Sequence, residues 1–176
     1  MTTQISGDTG CSQAQAGSIH QDDLAKGVVG KGPCFSARGI GTQSVTSGIP
    51  TKAGLGVEEW DTNNNFASST FTPTVAGYYH ITGVIRCTAN ASTLSSAYAE
   101  LWKNGVADIR GEEFSIAAAS NGNTQQVQVD GILFLNGISD YVELYGTVVG
   151  TTPQFVNPTS TKAGTCYLQG VLVRAA

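Results

Sequence analysis

Apolar and polar side chains alternate with a period of two along most of the chain, and this pattern constrains the fold more than any other feature. In the segment 78–87, Tyr79, Ile81 and Ile85 alternate with a mixed set of residues. This set is Tyr78, His80, Thr82 and Val84. Because successive side chains of a β-strand point to opposite faces, the pattern predicts strands with two distinct faces. Helix signals are scarce after residue 35, so the pattern favours an all-β antiparallel sandwich or barrel.

Asn-Gly pairs at 104–105, 121–122 and 136–137 separate these alternating segments. An Asn-Gly pair is the strongest short signal for a two-residue hairpin turn, because both residues tolerate a positive φ. We therefore predict a β-hairpin around Asn104 and Gly105.

Composition excludes several classes of function. A chain of 176 residues and 18.2 kDa suits one domain with a short appendage. Only 12% of the residues are charged and the net charge is -4, so no basic surface is expected for nucleic acid or anionic lipid. The first residues lack the layout of a secretory signal and no apolar run could insert into a membrane, which predicts synthesis in a cytoplasm without a signal peptide.

Residues 1–34 differ from the rest of the chain. Several glycines and Pro33 interrupt their one weak apolar patch, so a long helix is not expected there. We interpret residues 1–34 as an irregular N-terminal arm or linker and residues 35–176 as a single head domain.

The four cysteines, Cys11, Cys34, Cys87 and Cys166, are too far apart for the close C-x-x-C pairs of zinc or redox sites. They could form two disulfides, but a chain that matures in a reducing compartment favours free thiols. Cys87 is in phase with Ile81, which favours a place for it in the core.

Five short segments resemble, in type, order and spacing, parts of the globular head of complement component 1q. These segments are Phe35–Ala37, Phe71–Tyr79, Leu101–Gly105, Leu133–Val142 and Leu168–Leu172. The resemblance covers about 140 residues, from 35 to 176. That head and the tumour necrosis factor-like domains share a ten-stranded, two-sheet jelly roll that assembles as a tight trimer, so the resemblance implies this fold and this assembly.

No collagen repeat precedes the head, which argues against an immune collectin. The Thr-, Asn- and Ser-rich loops and the leader at 17–25 look like the head modules of tailed-bacteriophage fibre and other virion-surface proteins. This resemblance implies a structural protein on a virion surface, at a tail fibre or the capsid exterior, attached to other virion proteins through residues 1–34. The expected partners are two further copies of the chain and a host-surface glycan or receptor.

The resemblance also assigns surfaces. It implies that the strands starting at Phe35, Tyr78, Val127 and Tyr167 share one sheet, whose outward face meets a threefold axis. Periodicity then places ten residues at the trimer interface: Tyr78, His80, Thr82, Val84, Ile132, Phe134, Tyr167, Gln169, Val171 and Val173. Left exposed on a monomer, these side chains would form a large apolar patch. Coverage by a loop or by the N-terminal arm is the alternative.

Residues of the opposite parity are predicted to fill the core between the sheets. They are Tyr79, Ile81, Ile85, Leu133, Leu135, Val142, Leu144, Leu168 and Leu172.

Two residues are candidates for an ion site. Three copies of His80 near a threefold axis could hold a metal or an anion, although an inert interface histidine is the favoured interpretation. Asp61 lies in an acidic and Asn-rich run with oxygen ligands that calcium prefers, but such runs are more often plain turns. We therefore expect no cofactor, with calcium or another ion on or near the axis as the open alternative.

Four aromatic residues, Tyr98, Trp102, Tyr141 and Tyr145, are predicted on strands of the second sheet, where ring faces could stack on sugars. Ordinary half-exposed aromatic residues are the alternative interpretation.

The sequence predicts a non-enzymatic protein with no catalytic residues, because it has neither a nucleophile elbow nor a complete phosphate-binding loop. We expect a trimeric fibre or tail-fibre head that adheres to the host surface. A capsid-decorating or head-fibre cement protein is the alternative, since a full fibre usually has a far longer shaft. A glycan-degrading enzyme is a remote alternative. It would need two carboxylates in one cleft, whereas the two members of each adjacent pair, Glu58–Glu59 and Glu112–Glu113, should face opposite ways on a strand.

Overall fold

Two antiparallel sheets pack face to face in the computed structural model, which describes residues 32–90, 93–115, 124–157 and 165–176. The all-β, two-sheet jelly roll predicted above is confirmed. No helix in this described part of the chain is long and apolar enough to cross a membrane.

Thirteen strands are formed within the described residues, and they are numbered here in chain order. The first sheet contains β1 (Cys34–Arg38), β2 (Gly41–Ser44), β4 (Val57–Asp61), β7 (Gly77–Thr88), β10 (Thr124–Leu135), β12 (Gln154–Asn157) and β13 (Tyr167–Ala175). The second sheet contains β3 (Thr51–Lys52), β5 (Phe66–Ala67), β6 (Thr70–Phe71), β8 (Ser96–Lys103), β9 (Val106–Ser115) and β11 (Val142–Val149). The three two-residue strands β3, β5 and β6 account for the difference from the ten strands that the family resemblance implies.

β7 is the longest-paired strand of the first sheet. β10 pairs with it along all twelve residues on one side, while β13 and β12 share its other side. β13 then pairs with β1, and β1 pairs with β4 at the far edge. The four strands predicted to share one sheet, which correspond to β1, β7, β10 and β13, therefore do so.

The second sheet is built on β11, which pairs with β8 on one side and with β3 and β6 on the other. β8 continues into β9 through the hairpin predicted at Asn104 and Gly105. Both turn residues have a positive φ, 53° and 78°, as a two-residue hairpin requires. The Asn-Gly pair at 121–122 lies outside the described residues.

All nine predicted core residues are buried between the sheets. Phe35 stacks on Phe71 with ring centroids 4.1 Å apart, and Tyr79 meets Phe71 edge-on at 5.5 Å. The Tyr79 hydroxyl donates a hydrogen bond of 2.7 Å to the carbonyl of Val75. Aromatic stacking and alternating aliphatic residues thus form one continuous core.

The head begins slightly earlier than the sequence indicated. β1 starts at Cys34, and the carbonyl of Pro33 already accepts a hydrogen bond of 3.0 Å from the amide of Leu172. Residues 1–31 of the predicted arm lie outside the described residues.

Cys34, Cys87 and Cys166 are free thiols in the structure, while Cys11 is outside the described residues. Cys87 and Cys166 are fully buried. Burial raises the pKa of the Cys87 thiol to about 12 and the pKa of the Cys166 thiol to about 11.

Candidate functional site

Exposed apolar side chains concentrate on one surface, the face of the first sheet that is turned away from the core, which we call the open face. Ten large apolar side chains are exposed within the described residues, and six of them lie on the open face. These six are Trp60, Tyr78, Ile132, Phe134, Val171 and Val173. The open face is therefore the main candidate for contact with another macromolecule.

Strand register explains this clustering. Phe134 of β10 pairs with Tyr78 of β7, and their rings meet edge-on with centroids 5.4 Å apart. One row further along, His80 stands between Ile132 of β10 and Val171 of β13. Since cross-strand neighbours on one face lie within contact distance, the three strands present one continuous apolar area.

Polar groups occupy the next rows of the open face. Thr82, Gln169 and Ser36 form one row across β7, β13 and β1. His80 Nε2 lies 3.7 Å from Asp130 Oδ2, and the Ser36 hydroxyl donates a hydrogen bond of 3.2 Å to Glu59. The open face is thus apolar at one end and polar at the other.

Trp60 is a residue of the open face that alternation alone did not identify. The pairing of β4 with β1 shifts by one residue, so that Ser36 lies opposite Trp60 while Ala37 lies opposite Glu58. Such a bulge changes which side chains share a face. Trp60 therefore borders a hollow of about 230 Å³ whose other walls include His80 and Val171.

Val84 is the exception among the predicted interface residues. It lies in the outward parity of β7, yet it is fully buried within its own chain. Gln128 of β10 and Tyr167 of β13 lie opposite Val84 on the two neighbouring strands. Val84 therefore offers no surface to a partner, and its assignment to the interface is wrong.

The outward face of the second sheet is different in kind, because its buried carboxylates have cationic partners. Glu100 is almost fully buried and accepts hydrogen bonds from Arg110 Nε at 3.0 Å and from Trp102 Nε1 at 3.1 Å. Glu143 accepts hydrogen bonds from Lys52 Nζ at 2.6 Å and from the Thr70 hydroxyl at 3.1 Å. Both carboxylates therefore have the partners that buried charges need.

The aromatic residues predicted to contact sugars are also engaged within the chain. Trp102 and Tyr145 stack on each other with centroids 3.9 Å apart, and the Arg110 guanidinium lies 3.9 Å from the ring centre of Tyr98. One face of each of these rings is thus covered by another side chain. Tyr141 precedes β11 and is not on a strand, contrary to the prediction.

Asp61 closes a turn. Its carboxylate accepts hydrogen bonds from the backbone amides of Phe66 at 2.6 Å and Asn63 at 3.2 Å. Within the described ranges, no three His, Cys, Asp or Glu side chains are grouped as metal ligands would be. His80 has Asp130 as its neighbouring acidic group, and Asp61 lies on another strand.

The acidic pair Glu112–Glu113 does not follow simple alternation. The β8–β9 pairing shifts between Tyr98 and Glu100, which places a bulge in β9. Both glutamates are exposed and border the same shallow hollow of about 400 Å³. The bulge interrupts the alternation on which the prediction of opposite orientations depended.

Comparisons with known proteins identify the fold type of the chain. No family model matches the chain, and no curated protein matches it. Among solved structures, Eiger TNF from S. frugiperda matches with a TM-score of 0.53 at 12% identity, covering 82% of this chain and 92% of that one. Murine APRIL matches with a TM-score of 0.54 at 10% identity, covering 80% of this chain and 98% of that one.

The fold is a jelly roll of the tumour necrosis factor type.

Proposed function

We propose that this chain is a non-enzymatic binding module that forms a homotrimer through the open face and acts on a bacteriophage surface as a fibre or tail-fibre head. In this role it adheres to a glycan or receptor of the host, and residues 1–34 join it to other virion proteins. The observation that carries the proposal is the concentration of six exposed apolar side chains on the open face.

The energetics favour association. Fully burying a large apolar side chain contributes about 1.5–3 kcal/mol, so completing the burial of a half-exposed one contributes about 1 kcal/mol. Six such side chains give on the order of 6 kcal/mol per copy before the entropy of association is subtracted. The outward face of the second sheet lacks this driving force, because its carboxylates and rings already have partners.

Burial of the open face would leave the second sheet turned outward on every copy. Its surface then displays the Trp102–Tyr145 stack, Tyr98 and Tyr141 beside paired charges. Aromatic edges and uncovered ring faces among hydrogen-bonding groups suit a neutral sugar chain. This surface, repeated three times, is the proposed contact with the host.

Native mass by light scattering at low micromolar concentration tests the assembly. We expect three times the chain mass of 18.2 kDa for the wild type and for Ile138→Asp, since Ile138 is 87% exposed on the loop between β10 and β11, outside the strands of the open face. Ile132→Asp should give the single-chain mass, because it places a charge at the most exposed apolar position of the open face. A wild type that remains a single chain contradicts the proposal.

Adhesion is tested separately on an array of bacterial surface polysaccharides. The trimer should bind one class of glycan, and Trp102→Ala should lose that binding while keeping the trimer mass. A trimer that binds phage capsids but no polysaccharide and no host cell would favour the capsid-decorating role instead.

A further inference from the structure

The open face carries both a protrusion and a hollow. We propose that Ile132 of one copy packs into the hollow beside Trp60 of the next copy. This inference rests on the proposed self-association through the open face, and it names the residues that meet there.

The hollow combines apolar and polar walls, because Thr82 and Gln169 line it together with Trp60, His80 and Val171. Trp60 of β4 stands two strands away from Gln169 of β13, because β1 lies between them in the sheet. His80 and Val171 line the other side, and the hollow, which is open to solvent, has a volume of about 230 Å³. An indole wall beside a valine, in a space of this size, accommodates a branched aliphatic side chain.

The protrusion stands at the opposite edge of the same face. Ile132 is 61% exposed, more than any other large apolar side chain of the open face, and lies on β10. Phe134 follows two residues later on the same side and is braced edge-on by Tyr78. The β10 edge therefore offers an isoleucine tip beside a fixed aromatic ring.

Charge does not oppose this contact. Asp130, two residues before Ile132 on β10, already has His80 Nε2 at 3.7 Å. Beside the hollow, Glu59 is held by the Ser36 hydroxyl and by Arg38, whose Nε lies 3.3 Å from it. Packing of Ile132 against Trp60 thus brings two apolar side chains together, while Glu59 keeps Arg38 beside it and Asp130 is 59% exposed to solvent.

Rotational symmetry can repeat the contact. When the protrusion of each copy fills the hollow of the next, every copy in a closed ring gives one protrusion and receives one. Three such contacts would cover Ile132 and Trp60 on all copies. The two residues lie on edge strands that are separated by β7, β13 and β1 within a single chain, so they do not meet intramolecularly.

Photocrosslinking of the full chain tests the pairing. The photoreactive residue p-benzoylphenylalanine replaces Ile132, or Phe134 in a second variant, in assemblies mixed from isotopically heavy and light copies. We expect heavy–light crosslinks from position 132 to the peptides that contain Trp60 or Gln169 of another copy. The matched control carries the same group at position 138, which is exposed but off the open face and should give no such crosslink.

The outcomes separate this inference from the proposed function. A trimer whose crosslinks from 132 and 134 reach only other surfaces refutes the pairing and leaves self-association intact. A single-chain mass for the wild type refutes both. A second measurement uses Trp102→Phe, in which Trp60 is the remaining tryptophan. Its emission maximum should shift to shorter wavelength when copies associate. The shift should be absent when Ile132→Ala is added to the same background.

Discussion

Asn104 and Asp140 fasten the β8–β9 hairpin to the loop before β11. The Asn104 side-chain amide donates a hydrogen bond of 2.8 Å to Asp140, and the Asn104 side-chain oxygen accepts one of 3.0 Å from the amide of Tyr141. Asp140 also accepts from the amide of Asn136 at 3.0 Å and lies 3.3 Å from Lys103 Nζ. One carboxylate thus holds two turns together.

This arrangement predicts a pH-dependent contribution to stability. The hydrogen bonds from Asn104 and Asn136 and the nearby Lys103 ammonium hold the pKa of the Asp140 carboxyl below its usual value. A group whose pKa is lowered by folding contributes its full stability above its ordinary pKa, and this contribution is lost as the pH falls from that value through the lowered pKa of the folded state. In urea unfolding, Asp140→Asn should lower the free energy of unfolding by about 1–2 kcal/mol near pH 7, and the difference should shrink below about pH 4. A difference that is the same at both pH values would contradict this role.

Two glycines with similar backbone angles should respond very differently to a methyl group. Gly137 and Gly48 have φ of 71° and 75°, so alanine is strained at both positions. A Cβ at Gly48 meets open space, whereas one at Gly137 meets the backbone of Val75 and Ala76, which cannot move aside cheaply. Gly48→Ala should therefore lower the free energy of unfolding by about 1 kcal/mol, and thermal unfolding should show a considerably larger loss for Gly137→Ala. Equal losses would show that backbone strain alone decides the outcome.

The same chemical change should have opposite signs at two threonines of the second sheet. The hydroxyl of Thr147 is buried without a hydrogen-bond partner, while that of Thr70 binds both Lys52 and Glu143. Thr147→Val should raise the free energy of unfolding by about 1 kcal/mol, since it removes an unsatisfied buried group and conserves shape. Thr70→Val should lower it by a similar amount, because the partners of Glu143 are reduced. Chemical denaturation of the two variants beside the wild type measures both signs.

Thiol reactivity should report on the integrity of the core. Because burial raises the pKa values of Cys87 and Cys166 to about 12 and 11, almost no thiolate exists at either position near neutral pH. Mass spectrometry after treatment with iodoacetamide should find both thiols unmodified in the folded protein and modified in urea. Rapid alkylation of Cys166 under native conditions would show that the end of the sandwich near β13 opens readily.

Much of the fold was predictable, because the two-residue alternation of apolar side chains and the turn preference of Asn-Gly pairs depend on local sequence. The parity of Tyr79, Ile81 and Ile85 places them in the core whichever strands lie beside them. Asn104 and Gly105 specify their turn through their own backbone preferences. Such features need no knowledge of the partner strand.

The parts that were not predictable depend on how strands meet. Trp60 joins the open face because pairing with β1 slips by one residue, and a similar slip interrupts the alternation at Glu112 and Glu113 in β9. Val84 has the outward parity but is covered by its own chain, which alternation does not reveal. Pairing irregularities and coverage by distant residues are properties of the assembled sheet.

The position of β13 has a consequence for how the protein is made. This strand lies between β7 and β1, so the first sheet stays divided until residues 167–175 have left the ribosome. Val171 and Val173, which belong to the open face, also arrive with that strand. A nascent chain therefore has no complete open face with which to bind a neighbour on the same messenger RNA, so the proposed association would take place between finished heads.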